Sequence, residues 1–156
     1  MKKIVIGSDH AGFELKKKLK TCLTDAGWEV SDEGTYEKGP VDYPDFGCKV
    51  ASMVSSGEFE RGVLICGSGV GMTILANKFP GVRAVLCLDE EIARLSRMHN
   101  DTNILALAGR RTDTQQALKI ITVWLETAFE GGRHQRRIDK IRQWEVKLCR
   151  GKNMTP

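Results

Sequence analysis

The run Gly62-Val63-Leu64-Ile65-Cys66-Gly67-Ser68-Gly69-Val70-Gly71 joins an unbroken apolar stretch to a turn crowded with glycine. A short apolar run closed by turn residues predicts a strand buried on both faces. Met72–Lys78 continues with helical spacing, so the segment is a strand, a tight turn and a helix. Working outward, the same alternation repeats. Upstream, Lys3–Gly7 is a β-branched strand, and Phe13–Ala26 a helix with Phe13, Leu15, Leu19, Cys22 and Leu23 apolar among lysines. Gly27 stands where a helix-capping glycine belongs. Trp28–Ser31 is extended, Asp32–Asp45 a long polar loop, and Cys48–Val54 helical. Loops of that length in compact domains are often functional.

Downstream, Arg83–Leu88 and Asn103–Ala108 read as strands, and Glu90–Met98, Thr114–Phe129 and Gln135–Leu148 as helices. Five strands alternating with helices predict an α/β fold: a three-layer sandwich around a five-stranded parallel sheet. One domain spanning 1–156 is expected. Ligands in such folds bind beyond the carboxyl ends of the strands. Here those ends are Gly7–His10, Cys66–Gly71, Asp89 and Gly109–Arg111, and His99-Asn100 is expected to adjoin them. The last helix follows Gly131-Gly132 and carries Ile138, Ile141, Trp144 and Leu148 at helical spacing, so it is expected to pack on a partner subunit.

Composition excludes several classes. The chain has 156 residues, 41% hydrophobic and 28% charged, with a formal charge of +4. That size suffices for a real core. The basic residues are scattered through Lys16–Lys18, Arg110-Arg111, Arg133–Arg137 and Lys147–Lys152, which suits an anionic small molecule better than a nucleic-acid track. Five cysteines without a C-x-x-C pair argue against a zinc ribbon or dithiol site. The apolar run after Met1 stops at Asp9, too short for a signal peptide or a membrane span, so a cytoplasmic protein with reduced thiols is expected.

The turn itself is the strongest chemical signal. Glycines let the backbone approach a ligand and turn N–H groups inward, and the following helix adds its positive end. A dinucleotide fingerprint would need a third glycine at Met72, and a Walker loop a lysine after Gly71. Neither is present, so the turn is read as stabilising negative charge on something other than a nucleotide. Cys66, at the mouth of this concavity, is placed for a thiolate acting as nucleophile or base. Cys22, Cys48 and Cys87 are read as small apolar residues. Asp9 and the histidines His10, His99 and His134 supply proton-transfer candidates, and Asp9 is equally suited to cap a helix. Arg110, Arg133 and Arg137 are candidates for phosphate, the last two one helical turn apart. Arg136 and Arg142 read as a solvated face.

Taken together, Ile6-Gly7-Ser8-Asp9-His10-Ala11-Gly12, Asp42-Tyr43-Pro44, Cys66–Gly71, Ala76-Asn77-Lys78, Ser96–Asn103 and Glu130-Gly131-Gly132-Arg133-His134 resemble the type B ribose-5-phosphate isomerase family. That family includes galactose-6-phosphate isomerase subunits. The resemblance implies a flavodoxin-like or Rossmann-like fold, assembled as a homodimer or homotetramer with sites shared between subunits. It implies an aldose–ketose isomerase acting on ribose 5-phosphate and ribulose 5-phosphate, a six-carbon sugar phosphate being the alternative and a non-catalytic binding module a distant third. Cys66 would be the base, His99 the ring-opening residue assisted by Asp9, and Gly67, Ser68, Gly69, Val70 and Gly71 the cradle of the enediolate. His10, Arg110, Arg133 and Arg137 would hold the phosphate, while Asn100 and Tyr43 would contact the sugar. No metal and no organic cofactor is implied. Ser68 stands where many members carry threonine; the hydroxyl is kept.

Overall fold

The computed structural model describes residues 2–151. Its elements follow the order β1 (Lys2–Ser8), α1 (Phe13–Asp25), β2 (Trp28–Asp32), α2 (Tyr43–Ser55), β3 (Gly62–Cys66), α3 (Val70–Ala76), β4 (Ala84–Leu86), α4 (Glu90–Asn100), β5 (Ile104–Ala108), α5 (Thr114–Glu126) and α6 (Arg133–Gly151). The five strands form one sheet in the order β2-β1-β3-β5-β4, every pairing parallel. This is the α/β sandwich that the alternation predicts.

Side chains alternate across the strands, so the inner strands each feed two cores. Ile4, Ile6, Val63, Ile65, Leu105 and Leu107 pack with Leu19 of α1, Ala93 of α4 and Ile120 and Trp124 of α5. Val5, Leu64 and Ile104 face the other way, onto Val50 and Val54 of α2 and Met72 and Ala76 of α3. Trp124 is fully buried and donates its indole N–H to Thr102 Oγ1 at 2.9 Å.

Several boundaries shift from expectation, each for a local reason. α2 begins at Tyr43, inside the expected loop, because Pro44 suits a first helical turn. α3 begins at Val70, so the last glycine of the turn lies in helix. β4 shrinks to Ala84–Leu86, since the Arg83 N–H is taken by the Asn103 side chain at 2.7 Å. Lys16 is fully buried. Its ammonium meets Asp32 Oδ1 and the Thr35 carbonyl, both at 2.7 Å, and lies 4.7 Å from the centre of the Tyr36 ring. It therefore ties the start of the 33–42 loop to α1. Only the first turns of α6 are buried, through His134 and Ile138; Ile141, Trp144, Val146 and Leu148 are at least half exposed or close to it, at 54%, 63%, 49% and 65%.

Candidate active site

β3 delivers Cys66 to the carboxyl edge of the sheet beside the end of β1, where the flanking strands run in different directions of the chain order. Cys66 is 4% exposed, and the Gly69 N–H donates to its Sγ at 3.2 Å. That contact is made possible by Gly69, whose φ of +76° a side chain would strain; a Cβ there would also lie 2.5 Å from Leu86 Cδ1. The Ser68 hydroxyl takes the Val70 N–H at 3.3 Å. Gly71 is required for another reason: a Cβ would sit 2.6 Å from the Tyr43 ring. Tyr43 thus closes over the loop from the start of α2.

β5 ends alongside, and the Gly109 and Arg110 N–H groups donate to the Cys66 and Gly67 carbonyls at 2.8 and 3.1 Å. The Arg110 guanidinium lies against Gly67. At the end of β1, Asp9 is buried and its Oδ1 accepts the Gly12 N–H at 3.1 Å, capping the turn that leads into α1. The capping role and a place in the site therefore coexist. His10 Nδ1 accepts the Val41 N–H at 3.2 Å, which leaves its proton on Nε2 as a donor. Asp9, Tyr43, Cys66, Gly67, Ser68, Gly71, Arg110 and Arg111 line one cleft of about 460 Å³. A larger hollow, about 550 Å³, borders Lys2, Trp28 and Arg61 at the other edge, without a thiol or imidazole.

His99 and Asn100 do not join this cleft, contrary to expectation. α4 starts at the carboxyl edge and runs back along the sheet, so its last residues reach the amino edge. There the Arg83 Nε–H bonds the Asn100 carbonyl at 2.9 Å, and the Gly62 N–H that opens β3 bonds the Asn103 carbonyl at 2.9 Å. β3 alone separates the two edges by roughly 13 Å, at about 3.3 Å per residue. Around His99 a second cluster forms. Glu130 is tied to α4 by its N–H on the Met98 carbonyl at 3.1 Å. The His99 and His134 rings stack with centroids 4.3 Å apart and planes 11° from parallel. Arg133 Nε–H donates to His134 Nε2 at 3.4 Å, and Arg137 follows one turn later on α6.

The two half-sets are thus Asp9, His10, Tyr43, Cys66–Gly71 and Arg110 at one edge, and His99, Asn100, Arg133 and Arg137 at the other. Sequence reasoning missed Arg111, although it directly follows Arg110 at a strand end. Glu130 was missed too; its spacing of four from His134 on the approach to a helix was the available signal. His99, Glu130 and His134 offer metal-type donor atoms within 4.8 Å of one another. An ion sits in the plane of each imidazole that binds it, and two nearly parallel stacked rings do not share such a point. A metal would require one ring to turn.

Residues 4–141 match the family model described as Ribose/Galactose Isomerase. The chain is 48% identical over 141 residues to ribose-5-phosphate isomerase B of Escherichia coli, covering 90% of this chain and 95% of that one. Among solved structures, Clostridium thermocellum ribose-5-phosphate isomerase B is 51% identical with a TM-score of 0.92, over 94% of this chain and 99% of that one. Ribose-5-phosphate isomerase B of Mycoplasma genitalium, solved with bound ribulose-5-phosphate, is 42% identical with a TM-score of 0.89, over 92% and 96%.

Proposed function

The chain belongs to the ribose/galactose isomerase family, and from that premise we propose that it interconverts ribose 5-phosphate and ribulose 5-phosphate through an enediolate. Moving the carbonyl between C1 and C2 requires a base for a weakly acidic C–H proton and donors for the oxyanion that develops. The observation that carries this reading is the Gly69 N–H directed at Cys66 Sγ, 3.2 Å away, inside the cleft lined by Asp9, Tyr43 and Arg110. In this reading Cys66 Sγ, oriented by that N–H, takes the C–H proton. The Gly67–Gly71 backbone and the Ser68 hydroxyl cradle the enediolate, each well-aimed donor being worth about 3 kcal/mol of barrier. His10 and Arg110 hold the phosphate end from the same chain.

Opening the sugar ring needs a further acid–base group, and that role falls to His99. Since His99, Asn100, Arg133 and Arg137 stand at the opposite edge of their own sheet, a second copy supplies them. The working unit is then a homodimer, or a tetramer of such dimers, with the exposed apolar side of α6 covered by the partner. A single domain in the cytoplasm carries the activity. Among the described residues no helix is long and apolar enough to cross a membrane.

Cys66→Ala is expected to cut turnover by about a thousandfold or more while leaving the melting temperature unchanged. Retention of near-normal kcat would remove Cys66 from the base role. A coupled assay comparing ribose 5-phosphate with allose 6-phosphate and galactose 6-phosphate tests the substrate; a higher kcat/KM for either six-carbon sugar would overturn the pentose assignment.

A further inference from the structure

The cluster at the amino edge contains more than the ring-opening reading uses. Ring opening removes the proton of the C1 hydroxyl and breaks the C1–O4 bond, whose electron pair goes to O4, which gains a proton. An imidazole doing both transfers ends unchanged, provided it can hold one proton briefly and is fixed in direction.

Three observations bear on how His99 meets that demand. Its ring lies flat on His134, at 4.3 Å between centroids. Glu130 Oε2 stands 3.9 Å from His99 Nε2 and 3.4 Å from His134 Nε2, so one carboxylate oxygen faces both imidazoles. His134 Nε2 also faces the Arg133 Nε–H at 3.4 Å. One ring nitrogen cannot accept from arginine and donate to carboxylate at once. While the arginine bond holds, His134 keeps a lone pair on Nε2, and Glu130 is left for His99. Burial, the neighbouring His99 ring, Arg133 and Arg137 all hold His134 below the usual imidazole range, against the opposing pull of Glu130. Two stacked imidazoles at this distance also resist being charged together. With His134 Nε2 taken by Arg133, the Glu130 carboxylate is left to face His99 Nε2.

We propose that Glu130 and His134 are positioning residues for ring opening, the carboxylate and the stacked ring holding His99 in direction while it passes the proton from the C1 hydroxyl to O4. This rests on the reading of His99 as the ring-opening group.

Ribulose 5-phosphate separates the two. With O5 esterified, it has no hydroxyl able to close a ring of ordinary size on C2, so it stays acyclic. Exchange of its C1 proton with solvent deuterium needs only the enediolate step. Glu130→Gln and His134→Phe are expected to lower kcat for cyclic ribose 5-phosphate by about tenfold, with exchange into ribulose 5-phosphate and the melting temperature unchanged. An unchanged kcat, or exchange falling in parallel with it, overturns the positioning role. His99→Asn is the control for the underlying reading. If it too spares ribose 5-phosphate turnover, the ring-opening assignment fails, and with it the roles that depend on it.

Discussion

Gly71 has its backbone in a helix and the Tyr43 ring where a side chain would begin. An added methyl must move an aromatic ring that itself lines the cleft, rather than a flexible chain end. Gly71→Ala is therefore expected to raise KM for ribose 5-phosphate by about tenfold and to cost about 1–2 kcal/mol of stability, read by urea titration. Tyr43→Phe/Gly71→Ala would not recover the loss, since the ring and not its hydroxyl makes the contact. At the same scale, the cysteines divide by surroundings. Burial pushes the Cys87 thiol up to about 12, with nearby Asp89 adding to it, whereas Cys66 meets an N–H donor at the cleft wall. The different fates of these two were legible beforehand, because one ends a strand before glycines and the other precedes no such turn.

At the scale of elements, the 33–42 loop depends on α1 through the buried Lys16–Asp32 pair, and its far end supplies the Val41 N–H to His10. Removing one partner leaves a buried charge uncompensated, so Lys16→Met is expected to destabilise the fold by about 3 kcal/mol. Lys16→Met/Asp32→Asn should recover part of this in the same chemical-denaturation measurement. The sequence could not reveal this pair. Lys16, Lys17 and Lys18 are alike in type, and the carboxylate that selects the first lies in the next strand. Four of the strands, by contrast, were readable to within a residue at each end, because short runs of apolar and β-branched residues closed by turn residues admit little else, while β4 came out at half its expected length. His99 and Asn100 were misplaced for a geometric reason. A helix that follows a strand starts at the ligand edge, but eleven residues carry its end back across the sheet.

At the scale of the whole molecule, the proposed assembly of the site from two chains makes a quantitative demand. A dimer of one Cys66→Ala chain and one His99→Asn chain has one site with both defects and one with neither. Random re-pairing of equal amounts makes half the dimers mixed, so activity should return to about a quarter of the wild-type value. Each variant alone stays inactive. Activity no greater than the sum of the two separate preparations would place the complete site within one chain. Re-pairing can be followed by mass spectrometry, so that a failure to exchange is recognised and corrected by co-expression.

The two half-sets standing at opposite ends of one sheet have a consequence for inheritance of damage. On the proposed two-chain reading no copy reads its own active-site spelling: each lends its imidazole edge to a neighbour and borrows a thiol edge in return. A cell making one sound and one defective version would not lose a fixed half of its activity; which half-set is broken, and in which version, decides whether the partners rescue or spoil each other. Dilution acts the same way, since a solitary chain, fully folded, would hold every part of the machine and be unable to run it.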